Sequence, residues 1–105
     1  MAPASDAVVI IAYDIDATQR RLIHAAVREE SDQWWHELPD VWVAISELNV
    51  TDWKSLLRGF VPQPPSGLMV FALPEDKRRF WHRGPLDFTW FRENFDSQAN
   101  RRIEQ

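Results

Sequence analysis

Two unbroken apolar runs dominate the pattern of hydrophobic and polar positions along the chain. Residues 8–12 form the first run, with four β-branched side chains out of five, and residues 68–73 form the second. Apolar runs without polar alternation are typical of strands that are buried on both faces of a sheet. We therefore predict two buried strands, the first of them central in its sheet.

A helical repeat follows the first run over Ala17–Glu30. Asp16 precedes it directly, and Gln19 follows Asp16 by three residues, the pattern of an N-cap with a capping-box partner. The expected apolar stripe consists of Leu22, Ile23, Ala26 and Val27. The residues that fall largely outside this stripe are Arg20, Arg21, His24, Arg28 and Glu29. We interpret His24 as a surface residue without a catalytic role.

A second helical repeat covers residues 52–60, with Thr51 as the expected N-cap. Gly59 and Pro62 are expected to end this helix. Its apolar positions are spaced by three or four residues, as in a helix with one face in the core. These positions are Trp53, Leu56, Leu57 and Phe60.

Between the two helical repeats, Gln33–Leu38 and residues 41–46 predict two strands joined by a turn at Pro39-Asp40. The second strand has apolar residues on both faces, Val41, Val43 and Ile45 on one and Trp42 and Ala44 on the other. His36 and Glu37 would point to opposite faces of their strand, so we do not expect them to act together on a substrate.

The order of elements predicts an α+β fold, the ferredoxin-like βαββαβ sandwich, for a single domain over residues 1–105 with an ordered core of about 8–95. An extra short strand at 79–82 and a short helix at about 86–94 are expected to follow. Two helices would cover one face of the sheet, and the other face is expected to carry Trp42, Val8 and Ile10. A second copy or the C-terminal helix would cover that face, and we expect a homodimer.

Composition narrows the class of protein. The chain of 105 residues is 45% hydrophobic and 27% charged, which is ordinary for one globular domain. The sequence contains no cysteine, which excludes disulfides and thiolate metal sites. No apolar run approaches the ~18 residues of a membrane span, and no signal-peptide pattern opens the chain, so we expect a cytoplasmic protein without a membrane partner.

Two acidic residues, Asp14 and Asp16, come at the carboxyl end of the first strand. Ligands often bind at the carboxyl ends of central strands, and carboxylate oxygens there could hold a hard cation such as Mg²⁺ or Mn²⁺. The alternative is structural, because Asp16 also fits the helix cap and Asp14 could simply end the strand. Both interpretations stay open at the level of the sequence.

Arg20 and Arg21 lie in the first turn of the predicted helix, where the helix dipole disfavours positive charge. We therefore expect them to pair with Asp14 or Asp16, or to bind an anion such as phosphate, for which arginine is well suited. The net charge of −4 argues against a generally basic surface for nucleic acid.

Six tryptophans in 105 residues are the compositional outlier. We expect Trp53 and Trp90 in the core. Trp34, Trp35 and Trp42 are expected near a sheet face and are the candidate interface residues, since tryptophan is frequent among interface anchors.

A series of short motifs supports a family resemblance. They are Tyr13-Asp14, Trp34-Trp35-His36-Glu37-Leu38, Trp42-Val43, Leu68-Met69-Val70, Trp81-His82-Arg83-Gly84 and Trp90-Phe91. In this order, over about residues 8–95, the chain resembles small SinR-like bacterial proteins. These belong to a superfamily with the ferredoxin-like second CRISPR-associated protein and the VapD-like RNases of toxin–antitoxin systems.

The resemblance implies a ferredoxin-like dimer. In some members of the superfamily the aspartate after strand one is proposed to bind a divalent metal across the dimer axis, and that position corresponds to Asp14. The chain departs from the CRISPR-associated pattern after the first helix, where Trp34-Trp35-His36 replaces the usual residues of strand two.

Two functions follow as hypotheses. The first is a dimeric, non-catalytic module that binds a protein or nucleic-acid partner, with its tryptophans as anchors. The alternative is a metal-dependent endoribonuclease or endonuclease. In that case Asp14 and its symmetry mate would hold Mg²⁺ or Mn²⁺, while Arg20 and Arg21 would bind the scissile phosphate.

Overall fold

The computed structural model describes residues 6–75, 83–87 and 89–95. Within these ranges the chain has an α+β fold, with a four-stranded antiparallel sheet and three α-helices. The strands are β1 (Ala7–Tyr13), β2 (Gln33–Leu38), β3 (Val41–Ile45) and β4 (Gly67–Leu73). The helices are α1 (Ala17–Glu30), α2 (Val50–Leu57) and α3 (Thr89–Asn94), and a 3₁₀ turn covers Arg58–Phe60. None of the helices in the described ranges is long and apolar enough to cross a membrane.

β1 lies inside the sheet, as its unbroken apolar run predicts. The strand order is β2-β3-β1-β4, and each strand is antiparallel to its neighbours. Val9 of β1, for example, is paired with Val43 on one side and with Phe71 on the other. β4 is less buried than its sequence predicts. Within the described residues β1 is its one strand neighbour, and Met69 and Phe71 are exposed.

α1 and α2 cover one face of the sheet, and the main hydrophobic core lies between them and the strands. The largest side chains in this core are Trp42 and Trp53, both fully buried. Leu22 and Leu56, which the helical repeats assign to the core, are exposed instead. The apolar stripe of each helix is therefore wider than the area that contacts the sheet.

The prediction that Trp42, Val8 and Ile10 lie on the face away from the helices is wrong. All three belong to the core beneath α1 and α2. Side chains alternate along a strand, so their neighbours point to the second face, where Val9 and Val43 lie.

A smaller hydrophobic cluster covers part of the second face. Phe91 of α3 and Phe95, which directly follows the helix, pack against Trp35, Val43 and Ala7. The rings of Trp35 and Phe91 meet edge to face, with centroids 4.9 Å apart. α3 therefore covers one end of this face, and it is one of the two covers that the sequence left open, the other being a second copy of the chain.

Local capping defines the starts of α1 and α2. The capping box of α1 is confirmed: the Gln19 backbone N–H donates to the Asp16 carboxylate at 2.7 Å, and the Asp16 N–H donates to the Gln19 side chain at 2.8 Å. The predicted cap of α2 is wrong, because Asn49 rather than Thr51 accepts the N–H of Asp52, at 2.8 Å. α2 consequently begins at Val50, two residues earlier than predicted.

Some sequence predictions fall outside the described residues, namely the edge strand at 79–82 and the tail at 96–105. The last helix begins at Thr89 rather than at about residue 86. The backbone N–H of Thr89 donates to the Asp87 carboxylate at 2.9 Å, which satisfies one of the amides at the start of α3.

Candidate functional site

An open groove of about 500 Å³ lies between α1 and β2. We call it the α1 groove. It is lined by Ala17, Arg20, Arg21, His24, Ala25, Arg28 and His36. Six of these residues come from α1, and His36 comes from β2. Every polar side chain in this lining carries or can carry positive charge, and the lining includes no carboxylate.

The spacing of residues on α1 explains why cationic side chains converge. Arg20, His24 and Arg28 are each four residues apart, so they lie one above the other on the same side of the helix. Ala17 and Ala25 are small and leave space between the longer side chains. The groove is thus a direct result of the α1 sequence, completed by one residue of the neighbouring strand.

The tautomer of His24 follows from its contact with the core. The indole Nε1–H of Trp42 donates to Nδ1 of His24 at 3.2 Å. An indole nitrogen can only donate, so Nδ1 is unprotonated and the neutral ring carries its proton on Nε2. Burial, and then the positive charge of His36 and Arg28, lowers the pKa of His24 below the usual value for histidine. His24 therefore favours the neutral form.

His36 has the opposite tautomer. Its Nδ1 lies 2.9 Å from the carbonyl oxygen of Val41, which can only accept, so Nδ1–H donates. In the neutral ring Nε2 then carries a lone pair. The ring stacks on Trp42 with centroids 4.3 Å apart and planes 7° apart, and its centroid is 5.0 Å from that of His24. The two imidazoles are thus adjacent, one with an Nε2–H donor and one with an Nε2 acceptor.

The three arginines of the groove are held differently. Arg20 forms an ion pair with Asp40 at 2.9 Å and donates to the Pro39 carbonyl at 3.1 Å. Its ion-pair partner is thus Asp40, not the Asp14 or Asp16 considered from the sequence. The other two, Arg21 and Arg28, are exposed and have no ion-pair partner among the described residues. Their charges are free to act on an anion in the groove.

The three candidate interface tryptophans have different environments. Trp35 and Trp42 are buried in the two hydrophobic clusters. Trp34 keeps 37% of its surface exposed, and its ring meets that of His24 edge to face, with centroids 5.1 Å apart. Trp34 therefore lies beside the α1 groove and has aromatic surface to offer to a ligand.

The predicted metal-binding residues lie at the start of α1. Asp16 is engaged in the helix cap. Asp14 is exposed, has a left-handed backbone with φ of 52°, and its carbonyl oxygen accepts a hydrogen bond from the Ser66 hydroxyl at 2.6 Å. In the described part of the chain no three His, Cys, Asp or Glu residues form a group suited to a metal. A metal at Asp14 would therefore draw ligands from elsewhere, such as the second copy that the resemblance implies.

Sequence reasoning named Arg20 and Arg21 as phosphate ligands, and the structure brings both into one groove with His24, Arg28 and His36. The sequence does not pair the two histidines, because His24 fits a surface position on a helix and Glu37, the ionisable neighbour of His36, points to the opposite face of its strand. The repeat of cationic residues every fourth position on α1 was a usable signal for His24. The contact with His36 depends on how β2 lies against α1, and no local pattern encodes it.

Comparisons of this chain with protein-family models, with characterised proteins and with solved structures gave no match.

Proposed function

We propose that the protein binds a single-stranded nucleic acid through the α1 groove. The observation that carries this proposal is the convergence of three arginines and two histidines in one lining without a carboxylate. The net charge of −4 belongs to the whole chain, whereas a bound strand responds to the charge nearest to its phosphates. Arginine guanidinium groups suit phosphate oxygens because they donate two parallel hydrogen bonds.

Trp34 supports a single strand rather than a duplex as the ligand. Proteins that bind single strands combine a positive groove for the backbone with exposed aromatic rings on which bases stack. Trp34 provides such a ring beside His24, at the side of the groove. The paired bases of a duplex are stacked on one another and leave no face for Trp34.

The strand order β2-β3-β1-β4, with a helix after β1 and another after β3, supports a ferredoxin-like βαββαβ fold as the scaffold of this site. The homodimer and the SinR-like family are retained with it as predictions from the sequence. The fold by itself assigns no activity, since this architecture serves many functions.

The test is the salt dependence of binding, measured by fluorescence anisotropy with labelled single strands of on the order of 10 nucleotides. The logarithm of the binding constant is plotted against the logarithm of the salt concentration between about 50 and about 200 mM. The plot should be a falling straight line with a slope of roughly 0.7 for each phosphate neutralised. Arg21→Ala and Arg28→Ala should each weaken binding and reduce the slope by roughly 0.7, since each removes one phosphate contact.

The matched control is Arg92→Ala, which removes an exposed arginine from α3 on the opposite side of the sheet. This variant should keep both the affinity and the slope of the native protein. Equal effects of Arg92→Ala and Arg28→Ala would contradict a defined groove. An absence of binding to single-stranded RNA and DNA would contradict the proposal and leave the protein-partner hypothesis.

A further inference from the structure

We propose that His36 and His24 together catalyse metal-independent cleavage of RNA bound in the α1 groove. This inference rests on the nucleic-acid binding proposed above and adds a reaction and a substrate class to the same site. Neither residue was identified as catalytic from the sequence. The chemistry differs from that of a metal held by Asp14, because the attacking group would come from the ribose of the substrate.

His36 has the features of a general base. Its Nδ1–H donates to the Val41 carbonyl at 2.9 Å, which fixes the tautomer, and stacking on Trp42 fixes the plane of the ring. Within the described residues Nε2 has no hydrogen-bond partner, and the side chain lines the groove. A base oriented by a third group and open to the ligand is the arrangement required for activating a hydroxyl.

His24 complements it as a neutral hydrogen-bond donor. The Trp42 indole N–H occupies Nδ1 at 3.2 Å, so Nε2–H is the donor that the ring can offer to a ligand. Protonation of Nδ1 would bring two N–H groups face to face. His24 is therefore suited to donate to a phosphate oxygen and unsuited to release a proton.

The reaction proceeds by attack of the ribose 2′-hydroxyl oxygen on the adjacent phosphorus, while Nε2 of His36 takes the hydroxyl proton. The bond from phosphorus to the 5′-oxygen breaks, and the leaving oxygen takes a proton from water. The hydroxide produced takes the proton back from His36. The products are a 2′,3′-cyclic phosphate and a 5′-hydroxyl, and no metal or net water is consumed.

Negative charge increases on the non-bridging phosphate oxygens as the 2′-oxygen adds. Arg21, Arg28 and the Nε2–H of His24 lie around the same groove and would stabilise that charge. Because the two histidine tautomers are fixed by groups of the fold, this arrangement exists before the substrate binds and needs no reorganisation.

The experiment incubates the native protein with single-stranded RNA and with the matching 2′-deoxy strand in EDTA, and identifies products by mass. Two variants keep the structural hydrogen bonds. His36→Asn retains a donor for the Val41 carbonyl but has no base, and His24→Asn retains an acceptor for the Trp42 indole but lacks the second donor. Circular dichroism and binding to the uncleavable 2′-deoxy strand show whether each variant is folded and competent to bind.

We expect RNA to yield 2′,3′-cyclic phosphate ends in EDTA and the 2′-deoxy strand to stay intact. His36→Asn should lower the rate by about 10² to 10⁴-fold, the usual contribution of a general base. His24→Asn should lower it by about 10² to 10³-fold, as for loss of one donor to the charged intermediate. Cleavage rates are compared at saturating protein, so that a loss of affinity for the strand in either variant is not counted as a loss of the chemical step.

Binding without RNA cleavage would overturn this inference while leaving the proposed function intact. Cleavage that His36→Asn does not slow would overturn it as well, and would indicate a contaminating nuclease. Cleavage that needs Mg²⁺ or Mn²⁺ and is lost in Asp14→Asn would replace it with the metal-dependent mechanism. Failure to bind either strand would overturn both proposals together.

Discussion

Burial lowers the pKa of His24, and the neighbouring positive charges of His36 and Arg28 lower it further. The Trp42 indole adds a directional constraint, because it occupies the nitrogen that would have to accept the proton. One side chain therefore joins the core to the groove, with Nδ1 bonded to a core tryptophan and Nε2 available to the ligand. The protonation state of His24 should therefore affect the free energy of unfolding of the whole domain.

The free energy of unfolding is expected to decrease as pH falls below about 6.5, the usual pKa of histidine in an unfolded chain. In that range the unfolded state binds a proton at His24 that the folded state does not. The free energy of unfolding therefore keeps falling with pH until the lowered pKa of His24 in the folded state is reached. Urea unfolding between about pH 8 and about pH 5 measures the slope.

The control for this prediction is His24→Asn, which keeps an acceptor for the Trp42 indole but cannot titrate. The free energy of unfolding of this variant should depend less steeply on pH than the free energy of unfolding of the native protein. The two proteins differ in one ionisable group only, His24. Identical slopes would mean that His24 binds its proton equally well in the folded and unfolded states, contrary to its partly buried position beside positive charges.

At the scale of elements, α1 has two functions that use different sides of one helix. Ile23, Ala26 and Val27 are buried against the sheet, whereas the arginines face the groove. The start of α1 is also connected to the 3₁₀ turn after α2, because the Gln19 side chain donates to the Phe60 carbonyl at 2.9 Å. The position of the groove therefore depends on a helix that is capped at its first turn.

Asp16→Ala should lower the free energy of unfolding by about 1 kcal/mol, since it removes the side chain that accepts the Gln19 N–H at the start of α1. Asp16→Asn is the matched control, because asparagine caps a helix about as well as aspartate. Midpoints of urea unfolding compare the two. Equal losses in both variants would assign the effect to the negative charge near the helix dipole rather than to the hydrogen bond.

At the scale of the whole molecule, the two faces of the sheet differ in how much of their surface helices cover. α1 and α2 close the first face, and α3 covers one end of the second. On the second face Tyr13, Met69 and Phe71 are exposed, Met69 by 54%. The register shows that they share this face, because Met69 and Phe71 are paired with Ile11 and Val9. This surface is apolar and is formed by side chains of β1 and β4.

The homodimer expected from the sequence should use this surface, since an apolar patch can pair with its own copy about a two-fold axis. Met69→Lys should convert a dimer of the native chain into a monomer, measured by sedimentation velocity. Lys54→Met, which changes an exposed position on α2, controls for surface charge and should leave the dimer intact. A native chain that sediments as a monomer would contradict the expected dimer.

Much of the fold was accessible from local patterns. The bounds of α1 and β2 match those predicted, because each depends on signals within the segment: a capping box for α1, and for β2 the turn at Pro39-Asp40. The start of α2 was missed because Asn49 and Thr51 are both good caps. Asn49 is the cap because its side chain accepts the N–H of Asp52 while the Asp52 carboxylate accepts the N–H of Asn49.

The sequence by itself determined the elements, their order and the row of cations on α1, because hydrophobic period and capping act over a few residues. The tertiary structure decided which sheet face the helices cover, and so whether Trp42 is an interface residue or a core residue. It also decided that His24 and His36 meet and which nitrogen of each ring carries the proton. These properties depend on contacts between residues distant along the chain, and such contacts exist only after the strands and helices have packed together.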